Sequence, residues 1–190
     1  MTGFELPALR GLGELADLEP VIVIDSREQK PLPFERLKTE IGTLAVGDYS
    51  VWGLEGLFSI ERKSIDDLAK CCVGQNRDRV ERELAKLRGY RFKRLLVGGS
   101  EEDIFRCRYH SSIEPKSVLA TLAAWEVRFD VSVVFIACPR LAGRKIESWA
   151  YWFSREYILA ANNLLRAATN TEKGPQNGPR LELPTVGRPK

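Results

Sequence analysis

The stretch 47–67, with the sequence GDYSVWGLEGLFSIERKSIDD, constrains the fold more than any other part of the chain. Residues 49–52 and 57–61 are strand-like, and the Gly-bounded segment 53–56 between them is typical of a turn. Ser64 is a good helix N-cap and is followed by acidic residues, which the helix dipole favours in a first turn. The stretch therefore predicts a β-hairpin that leads into a helix.

Charged side chains are expected to meet where this hairpin ends. Because side chains alternate between the two faces of a strand, Glu61 and Lys63 share one face, while Arg62 lies on the other. Asp48, before the turn, can reach the same place across the hairpin. Asp67 lies one turn into the helix and can face back. The hairpin therefore predicts carboxylates beside an ammonium group.

Such a cluster is suited to metal-dependent hydrolysis of phosphodiesters. Mg²⁺ is usually bound by one or two protein carboxylates together with substrate phosphate and water, and it supplies a Lewis acid and lowers the pKa of bound water. A neighbouring lysine can orient or deprotonate the nucleophilic water. Asp48, Glu61 and Lys63 have the D…(D/E)-x-K form of these sites, although this short form also occurs by chance on solvated strands.

A longer pattern surrounds this triplet. GDY at 47–49 and IERKSIDDL at 60–68 resemble the GD…ERKxxxD signature of XPF-type structure-specific endonucleases. The resemblance extends upstream to DSRE at 25–28, where the family carries a D-x-R-E element, and downstream to RVERELAKL at 79–87, which is similar to the family's arginine-led helix. Together these motifs cover roughly residues 21–136.

The resemblance implies an α/β, restriction-endonuclease-like (PD-(D/E)XK) fold with a mixed central sheet flanked by helices. It implies a Mg²⁺- or Mn²⁺-dependent endodeoxyribonuclease that nicks flaps, forks or junctions in repair, recombination or replication. The catalytic residues that it implies are Asp25, Arg27, Asp48, Glu61, Arg62, Lys63 and Asp67, with Asp25, Asp48 and Glu61 as metal ligands.

In the mechanism that we expect, Lys63 positions the attacking water, and Arg62 and Arg27 organise the site or bind phosphate. Carboxylates this close repel each other, so without metal at least one of them is expected to have a raised pKa. This predicts an activity that requires metal and rises with pH.

Several of these residues also have simpler interpretations. Asp25 and Arg27 could form a local turn pair, and Glu28 could pair equally well with Arg27. Asp67 could serve only as an acid that stabilises the start of its helix. Their position within the longer signature favours a site role.

DNA-binding residues are expected on the following helix. From Arg77 to Arg94 the chain has eight Lys or Arg against three acids, whereas the formal net charge of the whole chain is only +3. Such runs are often solvated helix faces with i,i+4 pairs, but beside a phosphodiesterase site we expect phosphate contacts. The residues assigned to DNA binding are Arg77, Arg79 and Lys86.

A late helix is expected to contact a partner. Its aromatic residues Trp149, Trp152, Phe153 and Tyr157 give more aromatic surface than one core face needs. The helix could instead be buried on two sides of its own domain. XPF-like nuclease domains typically dimerise through late helices, so we expect a homodimer or heterodimer.

The remaining patterns complete an α/β order. The β-branched run 21–24 predicts a buried strand that delivers Asp25 at its carboxyl end, where α/β sites commonly lie. Further strands are expected at 92–97 and 131–136. Helices are expected at 34–41, 64–73, 77–89, 101–107, 114–128 and 142–165.

The length of 190 residues fits one nuclease domain at 20–168, with a loose arm at 1–19 and a disordered tail at 169–190 that is rich in Pro and Gly. The four cysteines show no C-x-x-C spacing, and no apolar run is long enough to span a membrane. A soluble, cytoplasmic or nucleoid-associated protein is expected.

Two alternatives to a branched-DNA endonuclease stay open. One is a non-catalytic scaffold that binds branched DNA, against which the intact GD, ERK and later Asp argue. The other is a Holliday-junction resolvase-like nuclease on the same fold. Larger family members usually carry a tandem helix-hairpin-helix module, for which this chain is too short, so substrate selection falls to the nuclease domain or to a partner.

Overall fold

A computed structural model of the chain describes residues 19–172. The predicted arm at 1–19 lies outside this range except for its last residue. The predicted tail lies outside it except for residues 169–172, which continue the last helix. Within the described range, residues 19–156 form one compact unit, and residues 157–172 belong to a second.

A six-stranded mixed sheet forms the centre of the first unit, as predicted. Its order is β2-β1-β3-β4-β5-β6. The β1/β2, β4/β5 and β5/β6 pairs are parallel, and β3 runs antiparallel to both of its neighbours. The strands are β1 (Ile22–Asp25), β2 (Thr39–Gly42), β3 (Tyr49–Val51), β4 (Phe58–Ser64), β5 (Phe92–Gly98) and β6 (Ser132–Phe135).

The predicted hairpin is confirmed as β3 and β4, in which Tyr49 pairs with Ile60. The predicted short helix at 34–41 is wrong, because residues 39–42 instead form the edge strand β2 beside β1. Its hydrogen bonds go to a strand about 17 positions earlier (Ile22 to Thr39). Local spacing cannot report such a partner.

Five helices flank the sheet within residues 19–172. They are α1 (Ile65–Cys71), α2 (Gly74–Leu87), α3 (Glu101–Phe105), α4 (Pro115–Phe129) and α5 (Pro139–Glu172). Ser64 caps α1 as predicted, and its Oγ accepts a hydrogen bond from the N–H of Asp67 at 3.1 Å. Gly74, which we expected to follow a helix end, opens α2 with a positive φ of 55°. Within the described residues, no helix is long and apolar enough to cross a membrane.

The two faces of the sheet have different covers. On one face, Leu68 of α1, Leu84 of α2 and Trp125 of α4 pack into a fully buried core. On the other, Trp149 of α5 lies 5.7 Å from Phe92, measured between ring centroids, and Phe153 packs on Phe58 and Phe92. Two of the aromatic residues assigned to a partner surface therefore pack on their own sheet, whereas Trp152 is 50% exposed.

Candidate active site

Three neighbouring strands bring the predicted carboxylates together near their ends, on one side of the sheet. Asp25 ends β1, Asp48 precedes β3, and Glu61 lies on β4. Gly47 makes the close approach possible: its φ is +83°, and a Cβ there would lie 2.1 Å from Ser59 Oγ. Asp48 is held on both sides, because its N–H donates to Ile60 at 2.8 Å and its carbonyl accepts from Asp25 at 2.9 Å. The Gly of the GD motif is therefore required sterically.

An open cleft of about 680 Å³ lies over these strands. It brings together most of the side chains that the sequence singled out, including one from α1 and two from α2. Those that line it are Asp25, Arg27, Asp48, Glu61, Lys63, Asp67, Arg79 and Lys86. Arg62 lines an adjoining cleft, and Arg77 lines neither.

Asp48 and Glu61 form a carboxylate pair that is short of positive partners. Glu61 is 7% exposed and forms an ion pair with Lys63, and Asp48 accepts a hydrogen bond from the Arg62 N–H at 2.6 Å. Burial, with a further contribution from the charge of Glu61, raises the pKa of Asp48 to about 7. Burial also raises the pKa of Glu61, although Lys63 opposes this. The predicted raised carboxylate pKa agrees with this electrostatic environment.

Lys63 is a cation in this setting. Burial by itself would lower its pKa, but the charges of Glu61 and Asp48 outweigh burial and raise the pKa. A protonated ammonium donates hydrogen bonds and accepts none. Lys63 is therefore suited to orienting water or phosphate rather than to removing a proton.

Asp25 has the opposite environment, because its carboxylate is saturated with donors. It is 2% exposed and accepts bonds from the Arg27 N–H, from Arg27 Nε at 2.6 Å and from Arg27 Nη2 at 3.0 Å. The N–H of Leu44 donates a fourth at 2.8 Å. These hydrogen bonds, above all that of the Arg27 side chain, lower the pKa of Asp25 to about 2. The turn pair that we considered for Asp25 and Arg27 therefore exists.

Two of the three predicted metal ligands, Asp48 and Glu61, fit a divalent cation. Among residues 19–172, no three His, Cys, Asp or Glu side chains converge into a complete metal site. Asp48 and Glu61 remain as a pair of carboxylates with few positively charged partners. Two carboxylates together with phosphate and water match the ligands that Mg²⁺ needs. Asp25 is a poor third ligand because its oxygens already accept four hydrogen bonds.

Arg62 points away from the Glu61–Lys63 pair, as strand alternation predicted. Its Nη1 donates to Glu28 Oε2 at 3.4 Å and to the Lys30 carbonyl at 3.3 Å. Glu28 thus pairs with Arg62, not with Arg27. The Asp67 carboxylate accepts a hydrogen bond from Ser64 Oγ at 2.7 Å and so stabilises the start of α1. Asp67 also lines both clefts.

The three predicted DNA-binding residues divide between two places on α2. Arg79 and Lys86 line the cleft. Arg77 instead pairs with Glu81 at 2.9 Å, and Glu81 also accepts from Trp125 Nε1 at 3.1 Å. Glu81 joins α2 to α4, and Arg77, which pairs with it, lines neither cleft.

Residues that the sequence analysis left out also line the cleft. Gln29 comes from the loop after β1, Ala45 and Val46 precede the GD motif, and Glu83 comes from α2. Glu83 had a usable signal, since it is four residues after Arg79 and three before Lys86 and so shares their helix face. Gln29 had none, because it lies in a loop whose path depends on tertiary contacts.

Known proteins share this architecture. The ERCC4 domain family matches residues 24–148. A comparison with curated proteins found no similar sequence. XPF from Aeropyrum pernix has a TM-score of 0.56 and 20% identity over 90% of this chain and 69% of that chain. XPF from Aeropyrum pernix in complex with DNA has a TM-score of 0.55 and 20% identity over 72% of this chain and 66% of that one. The α/β fold is therefore restriction-endonuclease-like, as expected.

Proposed function

The chain belongs to the ERCC4 domain family, and from that premise we propose that it is a metal-dependent endonuclease that hydrolyses phosphodiester bonds in branched DNA. The family, together with a fold like that of an XPF solved with DNA, supports a structure-specific DNA nuclease. The metal dependence and the branched substrate are the finer parts of the proposal. The observation that carries it is the convergence of Asp48, Glu61 and Lys63 on one open cleft.

Asp48 and Glu61 would hold Mg²⁺ or Mn²⁺. Both are buried enough for the pKa of each to be raised, so a cation in the cleft would relieve an unfavourable concentration of negative charge. When bound, the cation supplies a Lewis acid and lowers the pKa of water. Asp25 holds the wall of the cleft in place through Arg27 and Leu44 rather than binding the cation.

Lys63 positions the attacking water or the scissile phosphate. Its ammonium is fixed by Glu61 within the cleft, and its raised pKa keeps it protonated at neutral pH. A fixed positive charge beside a phosphate also stabilises charge that develops in the transition state. Arg27, whose side chain is 68% exposed, can contribute a further phosphate contact at the rim.

Charge balance explains why DNA and metal would bind together. The cleft is lined by five carboxylates and four cationic groups, so it has no excess of positive charge for a phosphate backbone. Arg79 and Lys86 supply phosphate contacts on the α2 side, and the cation supplies the remainder. The carboxylates are Asp25, Asp48, Glu61, Asp67 and Glu83, and the cationic groups are Arg27, Lys63, Arg79 and Lys86.

The test is cleavage of labelled duplex, single-stranded, flap, fork and four-way-junction DNA with Mg²⁺, Mn²⁺ or EDTA, alongside Asp48→Ala. We expect metal-dependent nicking of the branched substrates that is lost in the variant. Preferential cutting of four-way junctions would identify a resolvase-like enzyme. Tight binding of branched DNA without cutting under any metal would overturn the enzymatic proposal in favour of a scaffold.

We further propose that α5 contributes to a homodimer or heterodimer interface. Trp152 is 50% exposed and carries Arg155 over its ring at 5.3 Å, a combination that is common at interfaces. Sedimentation of the wild type and of Trp152→Ala tests this. A wild type that sediments as a monomer across the concentration range would exclude a homodimer.

A further inference from the structure

The active-site cleft adjoins a second cleft, to which the sequence assigned no role. The second cleft has a volume of about 420 Å³ and shares four lining residues with the first, so the two form one groove. The shared residues are Arg27, Gln29, Asp48 and Asp67. Asp48 therefore lies where the two clefts meet. Glu61, Arg79 and Lys86 line only the first cleft, and Lys30 and Arg62 line only the second.

Three cationic groups line the second cleft: Arg27, which also lines the first cleft, and Lys30 and Arg62, which line only the second. Glu28 holds the guanidinium of Arg62 and the backbone of Lys30. Its Oε2 accepts from Arg62 Nη1 at 3.4 Å, and its Oε1 accepts from the Lys30 N–H at 2.8 Å. Arg62 Nη1 also donates to the Lys30 carbonyl at 3.3 Å. This network holds the backbone of Lys30 beside the guanidinium of Arg62.

Lys30 and Arg62 both keep donors for a ligand. A guanidinium has five N–H donors, and the side-chain hydrogen bonds described for Arg62 within residues 19–172 all involve Nη1. Its side chain is 24% exposed. The ammonium of Lys30 is on the surface and forms no ion pair with another described residue. An ordered guanidinium and an exposed ammonium that line one open cleft suit an oxyanion such as a phosphate diester.

We propose that Lys30 and Arg62 bind the DNA phosphate that follows the scissile one on the side away from Arg79 and Lys86. The DNA strand would then pass over the Asp48–Glu61 pair, with cationic side chains contacting its phosphates on both sides of the scissile one. Contacts to phosphate fix the register of the strand without reading its bases. This inference rests on the proposed function, because it places a second subsite on the same groove.

The experiment compares Lys30→Glu with Lys38→Glu, which makes the same charge change elsewhere. Lys38 lines neither cleft and precedes β2, whose first residue pairs with Ile22 at the start of β1, so it lies at the opposite end of β1 from Asp25. KM, kcat and equilibrium affinity by fluorescence anisotropy are measured for both variants. The substrates are a branched DNA and two versions truncated just beyond the cut, one on each side.

With the full substrate, we expect Lys30→Glu to raise KM and Kd about tenfold while kcat stays within about twofold, because the lost contact is made equally in the ground and transition states. Lys30→Ala should lower the salt dependence of binding by about one phosphate contact. One truncated substrate, which lacks the phosphate at this subsite, should bind equally to Lys30→Glu and wild type. Lys38→Glu should behave as wild type throughout.

The outcomes separate the subsite from the nuclease activity. If the wild type cuts but Lys30→Glu has wild-type KM and Kd on every substrate, the subsite is wrong and the proposed function stands. If the wild type binds without cutting, and Lys30→Glu still weakens binding of only the longer strands, the subsite stands and the proposed function is wrong. A wild type that neither binds nor cuts DNA overturns both.

Discussion

Asp25 and the Asp48–Glu61 pair lie at the same edge of the sheet but in opposite electrostatic environments. Asp25 accepts four hydrogen bonds, three of them from Arg27, and its pKa is lowered to about 2. Glu61 is buried and Asp48 is half-buried, Lys63 forms an ion pair with Glu61, and the pKa of Asp48 is raised to about 7. The sequence signature treats the three acids alike.

The difference separates a supporting acid from acids that need a cation. A carboxylate with its hydrogen bonds satisfied stabilises the fold as it stands and gains little from a metal. A buried pair short of donors is unfavourable as it stands and gains a great deal from one. The contrast can be tested by removing each acid and measuring activity, stability and pH dependence separately.

The largest expected effect is on catalysis. Asp48→Ala and Lys63→Ala should each reduce cleavage by at least about 100-fold, because neither the cation-binding oxygen nor the fixed ammonium has a substitute in the cleft. Single-turnover cleavage of the preferred substrate measures this. Asp66→Ala is the matched control, since Asp66 lies three residues after Lys63, in the first turn of α1, but accepts a hydrogen bond from the His110 N–H and lines neither cleft. A wild-type rate in either active-site variant would show that the site is misassigned.

Removing Asp25 should act mainly on stability. Asp25→Ala should lower the free energy of unfolding by about 2–3 kcal/mol at pH 7, because the charged hydrogen bonds to Arg27 and Leu44 are lost. The pKa of Asp25 is lowered from 3.8 to about 2 in the folded protein, so its stabilising contribution is present above pH 4 and lost as the pH falls through about 2. Urea denaturation at pH 7 and at pH 2 measures both.

That result would also separate the two kinds of acid. Asp48→Ala should not destabilise the metal-free protein at pH 7 to a comparable extent. If Asp25→Ala leaves stability unchanged but abolishes metal binding, Asp25 is a metal ligand and does not differ in role from Asp48 and Glu61.

The Asp48–Glu61 pair should show the reverse pH dependence. A carboxyl whose pKa is raised in the folded state contributes its stability at low pH and loses it as the pH rises through the folded value, which is about 7 for Asp48. In EDTA, Asp48→Asn should therefore gain stability over wild type between pH 5 and pH 8, by at least about 1 kcal/mol, the equivalent of one pKa unit. Guanidinium denaturation of both proteins at the two pH values measures this.

Mg²⁺ provides the complementary control for this prediction. At pH 8 it should raise the melting temperature of the wild type but not that of Asp48→Asn, because only the intact pair binds the cation. A stability difference between the two proteins that is independent of pH would contradict the raised pKa.

The smallest expected effect concerns the cationic side chains around the Asp48–Glu61 pair. Arg79→Ala should weaken DNA binding about threefold to tenfold and reduce its salt dependence by about one phosphate contact. Arg77→Ala should leave binding unchanged, because its side chain pairs with Glu81 away from the cleft. Anisotropy titrations at several salt concentrations compare them. Equal losses in the two variants would mean that DNA follows the whole of α2 and not only its cleft-facing side.

Much of the site could be predicted because its determinants are local. The turn at 53–56 closes the β3–β4 hairpin, and alternation along β4 places Glu61 and Lys63 on one face. Ser64 marks the start of α1 by capping it. The β-branched run at 21–24 forms most of β1, which delivers Asp25 to the same site. Each of these inferences depends on residues within a few positions of one another.

Other features depended on partners far along the chain. Residues 34–41 resemble a helix locally, but pairing with β1 makes their second half an edge strand. Arg77 and Arg79 are two residues apart on one helix, but Arg77 pairs with Glu81, which bonds to Trp125 of α4, whereas Arg79 lines the cleft. Lys30 drew no attention because its loop is positioned by Glu28 and Arg62.

The sequence by itself determined which side chains are present at the edge of the sheet, because hairpin closure, strand alternation and helix capping act over a few residues. Only the tertiary structure decided what each of them can do. Whether a carboxylate is satisfied depends on donors that other segments supply, such as the Leu44 N–H for Asp25. Whether its pKa is raised depends on how deeply those segments bury it, as they do Asp48. Burial and hydrogen bonding are properties of the assembled fold.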